Sequence, residues 1–155
     1  MVKCRAKHVH AIDKDQKLDT WVTGIPVGED CMLVSFKDGH NAELLIDPTT
    51  FGLCTGKPDR DGKEIYQGDV FENKNGTIFE VRFGPHVMYC PVDDAMMENV
   101  GFYTVSDGIY EDMPLGPTED YAKVIGNIYD NPEYKVDEKY RCPAATTGKW
   151  EEADI

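Results

Sequence analysis

The chain has 155 residues, the size of one ordinary domain, so any second module is a subdomain or a tail. Its 16 Lys and Arg against 29 Asp and Glu leave a net charge of −13, which argues against duplex-DNA tracking because counterion release needs a basic surface. Apolar runs such as Cys31-Met32-Leu33-Val34 fall far short of the roughly 20 residues of a membrane-spanning helix, and residues 1 to 20 hold no signal-peptide core.

From the start of the chain, Val2, Cys4 and Ala6 alternate with Lys3, Arg5 and Lys7, a period-two pattern that predicts a half-buried strand with three cations on its solvent face. Further strands are expected at Trp21 to Thr23, Cys31 to Phe36 and Ala42 to Ile46, with a tight turn at Lys37-Asp38-Gly39-His40. Pro48 is expected to end the last of these by withholding a ladder donor, and Phe51 to Thr55 to form a separate short strand. The Asn75-Gly76 pair between Val70-Phe71-Glu72 and Thr77 to Phe83 is the strongest hairpin signal in the chain, and Gly84-Pro85 is expected to close that hairpin. Strands follow at His86 to Cys90, Phe102 to Val105 and Lys123 to Tyr129. A short helix is predicted at Asp93 to Asn99, with Asp94 as N-cap and Ala95-Met96-Met97-Glu98 as helix formers.

Short strands punctuated by Gly, Pro and Asp turns predict a mainly β protein with little helix. The expected organisation is an N-terminal antiparallel sheet over 1–56, a small barrel of the Src-homology-three type over 57–135, and a tail over 136–155. The barrel segment carries an acidic stretch at about 84–122.

Asp61-Gly62-Lys63-Glu64-Ile65-Tyr66-Gln67-Gly68-Asp69-Val70 and Ile125-Gly126-Asn127-Ile128-Tyr129-Asp130-Asn131-Pro132-Glu133 stand out, as do Lys3-Cys4-Arg5-Ala6 and Asp47-Pro48-Thr49-Thr50-Phe51-Gly52. Taken in chain order they resemble hallmark segments of the YopX-like proteins of bacteriophages and prophages. The family's T-G-L-K-D segment reads Thr55-Gly56-Lys57-Pro58-Asp59 here, and about 84–122 looks like an acidic insertion relative to shorter members. The resemblance implies a small, mainly β protein encoded by a mobile element, with no established activity; without a secretion signal, the expected location is the bacterial cytoplasm. The motif residues themselves read as architecture: Gly62 and Gly68 at turns, Ile65 and Val70 in a core, Asp69 bonding turn amides.

Five cysteines, Cys4, Cys31, Cys54, Cys90 and Cys142, contain no Cys-x-x-Cys pair and read as reduced thiols. Cys4, His8 and His10 share strand parity, but spacing identifies no fourth ligand, so no metal and no cofactor is expected. Nucleophile-elbow, phosphate-loop and dinucleotide motifs are lacking, and the expectation is a protein that is not an enzyme.

Phe83 to Ala122 holds no Lys or Arg and eight carboxylates, which is −8 of the −13, interleaved with Met and aromatic residues. Flexible thioethers and amphipathic rings among carboxylates suit a surface steered toward a basic host protein, such as a nucleic-acid-directed or defence enzyme. The candidate partner-binding residues are Asp93, Asp94, Met96, Met97, Glu98, Tyr103, Asp107, Tyr110, Glu111 and Asp112. The competing reading of this segment is a solvated acidic face over an ordinary core. A second function is an oligomeric binder of small ligands or nucleotides using Lys3, Arg5 and Lys7, and a third is an uncharacterised hydrolase.

Overall fold

The computed structural model describes residues 3–9, 17–106 and 112–136. It is mainly β: ten strands and one 3-10 turn, Pro132–Tyr134, account for the regular structure among these residues. The strands are β1 (Cys4–Val9), β2 (Lys17–Pro26), β3 (Cys31–Ser35), β4 (Asn41–Pro58), β5 (Glu64–Tyr66), β6 (Asp69–Glu72), β7 (Ile78–Cys90), β8 (Ala95–Ser106), β9 (Met113–Pro114) and β10 (Lys123–Asn127). They form two antiparallel sheets, β1-β2-β3-β4-β5 and β10-β6-β7-β8-β9. Two compact units divide the chain inside β4, between Cys54 and Thr55.

In the first unit β1 pairs with both β2 and β4, which closes the first four strands into a ring. The apolar set of each strand fills it: Cys4, Ala6, Met32, Val34 and Ile46 are buried, with Val22, Leu44, Phe51 and Leu53 packed against them. Pro48 does not end its strand. The β1–β4 register shifts between Arg5 and Lys7, so Pro48 lies in a bulge, where its lack of an N–H breaks no ladder bond and Thr50 Oγ1 accepts from Lys7 N at 2.8 Å. The face that carries the three cations is not open to solvent throughout. Arg5 is buried, with its guanidinium 4.6 Å over the Trp21 ring, and Lys7 Nζ lies 5.5 Å from the same ring.

In the second unit Ile65, Phe71, Phe79, Val81, Leu115 and Ala122 form the core, with Phe71 and Phe79 stacked at 5.3 Å. The Asn75-Gly76 turn joins β6 to β7 as expected, with Glu72 opposite Ile78. Gly84-Pro85 does not close this hairpin. Strand β7 continues to Cys90, turns through Pro91 to Asp94 and returns as β8, pairing without a register break from Phe79↔Ser106 to Cys90↔Ala95.

The predicted helix at Asp93 to Asn99 is therefore a turn and a strand. Asp94 has φ 49°, left-handed rather than the extended geometry of an N-cap, and cross-strand pairing overrides the helix preference of Ala95 to Glu98. No helix among the described residues is long and apolar enough to cross a membrane.

Candidate partner-binding ribbon

Beyond the core, β7 and β8 leave the sheet as a two-stranded ribbon. Strand β6 pairs with β7 only at Ile78 to Glu80, and β9 pairs with β8 only at Tyr103 and Thr104. From Gly84↔Gly101 to the turn, the two strands pair only with each other among the described residues. At the ribbon base, Phe83 and Phe102 meet edge to face at 4.9 Å, and His86 stacks on Tyr103 at 4.5 Å. His86 Nδ1 also contacts Gly84 O at 3.1 Å.

Strand alternation assigns the ribbon's side chains to two faces. Phe83, Val87, Tyr89, Met96, Glu98 and Val100 share one, which continues the core face of Phe79 and Val81. His86, Met88, Cys90, Ala95, Met97 and Asn99 share the other. Large apolar side chains are exposed on both, Val100 at 71 % and Met97 at 44 %, and Val92 at the turn is 90 % exposed. Asp93 and Asp94 are exposed in the turn and Glu98 on the shaft. The Tyr89 hydroxyl donates to Asp94 Oδ1, and that bond to a carboxylate raises the phenol above its ordinary value.

The acidic segment is thus not one surface. The ribbon gathers Asp93, Asp94, Met96, Met97 and Glu98, with Tyr103 at its base. Asp112 is only 7 % exposed and offers no open carboxylate, because it immediately precedes β9, where the chain returns to the sheet. Asp107, Tyr110 and Glu111 lie outside the described residues. Glu119 and Asp120 are exposed in a separate turn before β10.

For the other candidates, Cys4, Cys31, Cys54 and Cys90 are not joined in disulfides, and Cys142 and His10 lie outside the described residues. Among the described residues no three His, Cys, Asp or Glu side chains gather to hold a metal ion. With Arg5 buried against Trp21, the small-anion reading loses one of its three cations.

A family model described as YopX protein matches residues 5–134, most of the chain. The chain belongs to the YopX family. No curated protein matches it.

In this YopX-family chain the two longest motif segments meet in space. Strands β6 and β10 pair Val70 with Gly126 and Asp69 with Asn127, and Ile128 N donates to Gly68 O at 2.9 Å. Asp69 Oδ2 accepts from Tyr66 N at 2.8 Å and closes the turn between β5 and β6. Asn127 Oδ1 accepts from Tyr129 N at 3.0 Å and Asp130 N at 2.9 Å, which holds the turn after β10. A third motif residue, Asp59, is buried and receives Asp61 N and Lys63 N on Oδ1, both at 2.9 Å, and Val124 N on Oδ2 at 3.1 Å. Asp69, Asn127 and Asp59 each accept backbone N–H groups that close turns, and Asn127 Nδ2 also donates to Asp130 Oδ2 at 3.0 Å, which is architectural work.

Proposed function

We propose that this YopX-family chain is a non-catalytic phage or bacterial accessory protein that binds a host protein through the β7–β8 ribbon. The observation that carries the reading is one ribbon on which exposed Tyr89, Met97 and Val100 accompany Asp93, Asp94 and Glu98, with no Lys or Arg from Phe83 to Ser106. Monomeric surfaces rarely leave large apolar side chains clustered in water, and such clusters mark binding sites. The carboxylates select a basic partner and speed encounter, while Met and Tyr supply buried contact. Nucleic-acid-directed host enzymes fit this description, because their grooves are basic, and occupying such a groove inhibits the enzyme.

The test starts from capture of a host protein on the immobilised full chain, followed by rate measurements at two salt concentrations. Reversing Asp93, Asp94 and Glu98 to Lys is expected to slow association about tenfold or more at low salt, with the loss shrinking as salt rises. Met97→Ala and Tyr89→Ala are expected to speed dissociation and leave the salt dependence alone. Unchanged rates in folded variants would move the contact away from the ribbon.

A further inference from the structure

Backbone direction distinguishes the two edges of the ribbon. Gly68 N donates to Val81 O at 2.8 Å from the side opposite β8, so Val81 presents its polar groups outward from the β7–β8 pair. Leu115 N likewise donates to Phe102 O at 3.0 Å from the far side of β8. The β7–β8 register is unbroken, so alternate residues repeat these directions. On β7 the outward residues after Val81 are Phe83, Pro85, Val87 and Tyr89; on β8 they are Phe102, Val100, Glu98 and Met96.

The two edges differ in one atom group. Pro85 has no N–H, so the β7 edge lacks a donor in its middle and resists a further strand. The β8 edge carries an N–H and a C=O at each of Val100, Glu98 and Met96, and beyond the short β9 no described strand lies beside it. We infer that the basic partner docks by adding a strand to the β8 edge at Met96, Glu98 and Val100, an inference that rests on the binding role proposed above. Side chains on an added strand fall beside those of its neighbour, so the occupant is an extended segment with Lys or Arg beside Glu98 and apolar residues beside Met96 and Val100. A second copy of this chain does not fit. In-register antiparallel pairing about Glu98 sets Glu98 against Glu98, between chains that each carry −13.

The probe is a short synthetic peptide alternating valine and lysine, titrated into the full chain with amide hydrogen exchange as readout. Protection is expected at Met96, Glu98 and Val100 and not at Val87 or Tyr89. Val100→Pro removes an outward N–H, leaves charge unchanged, and is expected to weaken binding about tenfold, while Val87→Pro on the opposite edge leaves it intact. A second measurement needs no protein variant: N-methylating the peptide residues that face β8 abolishes binding, and methylating the alternate set does not. Binding that tolerates Val100→Pro and both methylation patterns but fails in Glu98→Lys would overturn strand addition and leave a charge-steered ribbon contact standing. No binding of the peptide, or protection on the β7 edge, also overturns the inference. The ribbon's role itself is judged separately, by the rate constants of the charge-reversal variants with the captured host protein.

Discussion

Gly68 and Tyr129 touch across the junction of the two motif segments: a Cβ added to Gly68 would lie 2.9 Å from Tyr129 Cε2. Gly68 also has φ 92°, in the left-handed region where a side chain is strained. Gly126, on the paired strand, is equally confined, because its missing Cβ leaves room for Asn131 Oδ1, which accepts from Asn127 N. The motif glycines thus let a ring and an amide close over two turns.

Gly68→Ala is expected to destabilise the second unit by about 1 to 3 kcal/mol through backbone strain and the ring contact together. Chemical denaturation checks this, and pairing the change with Tyr129→Ala separates the two costs. The double variant should recover the part due to the ring and keep the part due to φ.

Ile65 is fully buried in the core of the second unit, and Ile65→Ala is expected to cost about 2 to 5 kcal/mol through lost contact and a cavity. Ile128 is half-buried, so Ile128→Ala should cost less. Equal losses in urea melts would contradict this ranking.

Burial alone would push the Asp59 carboxyl upward, but hydrogen bonds from Val124 N, Lys63 N and Asp61 N and the Lys63 charge outweigh it and hold the group below its ordinary value. Its stabilisation is therefore fully present above the unfolded carboxyl value of about 3.9 and is lost as pH falls through the lower folded value. Asp59→Asn is expected to cost about 1 to 3 kcal/mol at neutral pH and to flatten the loss of stability below about pH 4. Denaturation midpoints for both proteins across that range decide it; parallel acid limbs would assign the titration elsewhere.

Glu80 and Arg82 form a pair of side chains that treats Val136 as if it were a strand residue. Glu80 Oε2 accepts from Arg82 Nε at 2.7 Å, Glu80 Oε1 accepts from Val136 N at 2.9 Å, and Arg82 Nη2 donates to Val136 O at 3.2 Å. Glu80 is almost fully buried, so Glu80→Ala removes the acceptor that Arg82 Nε and Val136 N share and is expected to cost about 1 to 3 kcal/mol. Removing both side chains should cost less than the sum of the single changes, because each single change already breaks the Glu80–Arg82 pair. Additive losses in a double-mutant cycle would refute the coupling.

Much of the fold was legible locally. Alternating Val2 to Lys7 and the Asn75-Gly76 turn specified strand and hairpin with no help from distant residues, and Asp69 announced the turn it closes. Misreadings arose where a neighbouring strand decides. Pro85 was expected to stop β7, but a proline whose nitrogen faces outward breaks no ladder bond, and facing is invisible without the partner strand. Ala95 to Glu98 carry helical preference and sit in a strand because Tyr89 and Met88 lie opposite Met96 and Met97. Arg5 followed its parity correctly, yet a buried position against Trp21 depends on which residue pairs with Lys7. The candidate site was legible as composition and not as shape: the acidic count grouped Asp112 with Asp93, while the chain path buries one and exposes the other.

Because the ribbon from Gly84 to Gly101 is paired only to itself among the described residues, its length is decoupled from the rest of the sheet. Removing one residue from β7 together with its opposite on β8 shortens it by a rung; two such pairs restore the same facing of every remaining side chain. Insertions of matched pairs lengthen it by the same rule, and neither change reaches Phe79, Val81 or the motif turns. Reach, tip charge and edge chemistry can therefore diverge in evolution while the scaffold that holds them stays constant. On the docking role proposed above, relatives of this chain that face different partners are expected to differ between Phe83 and Phe102.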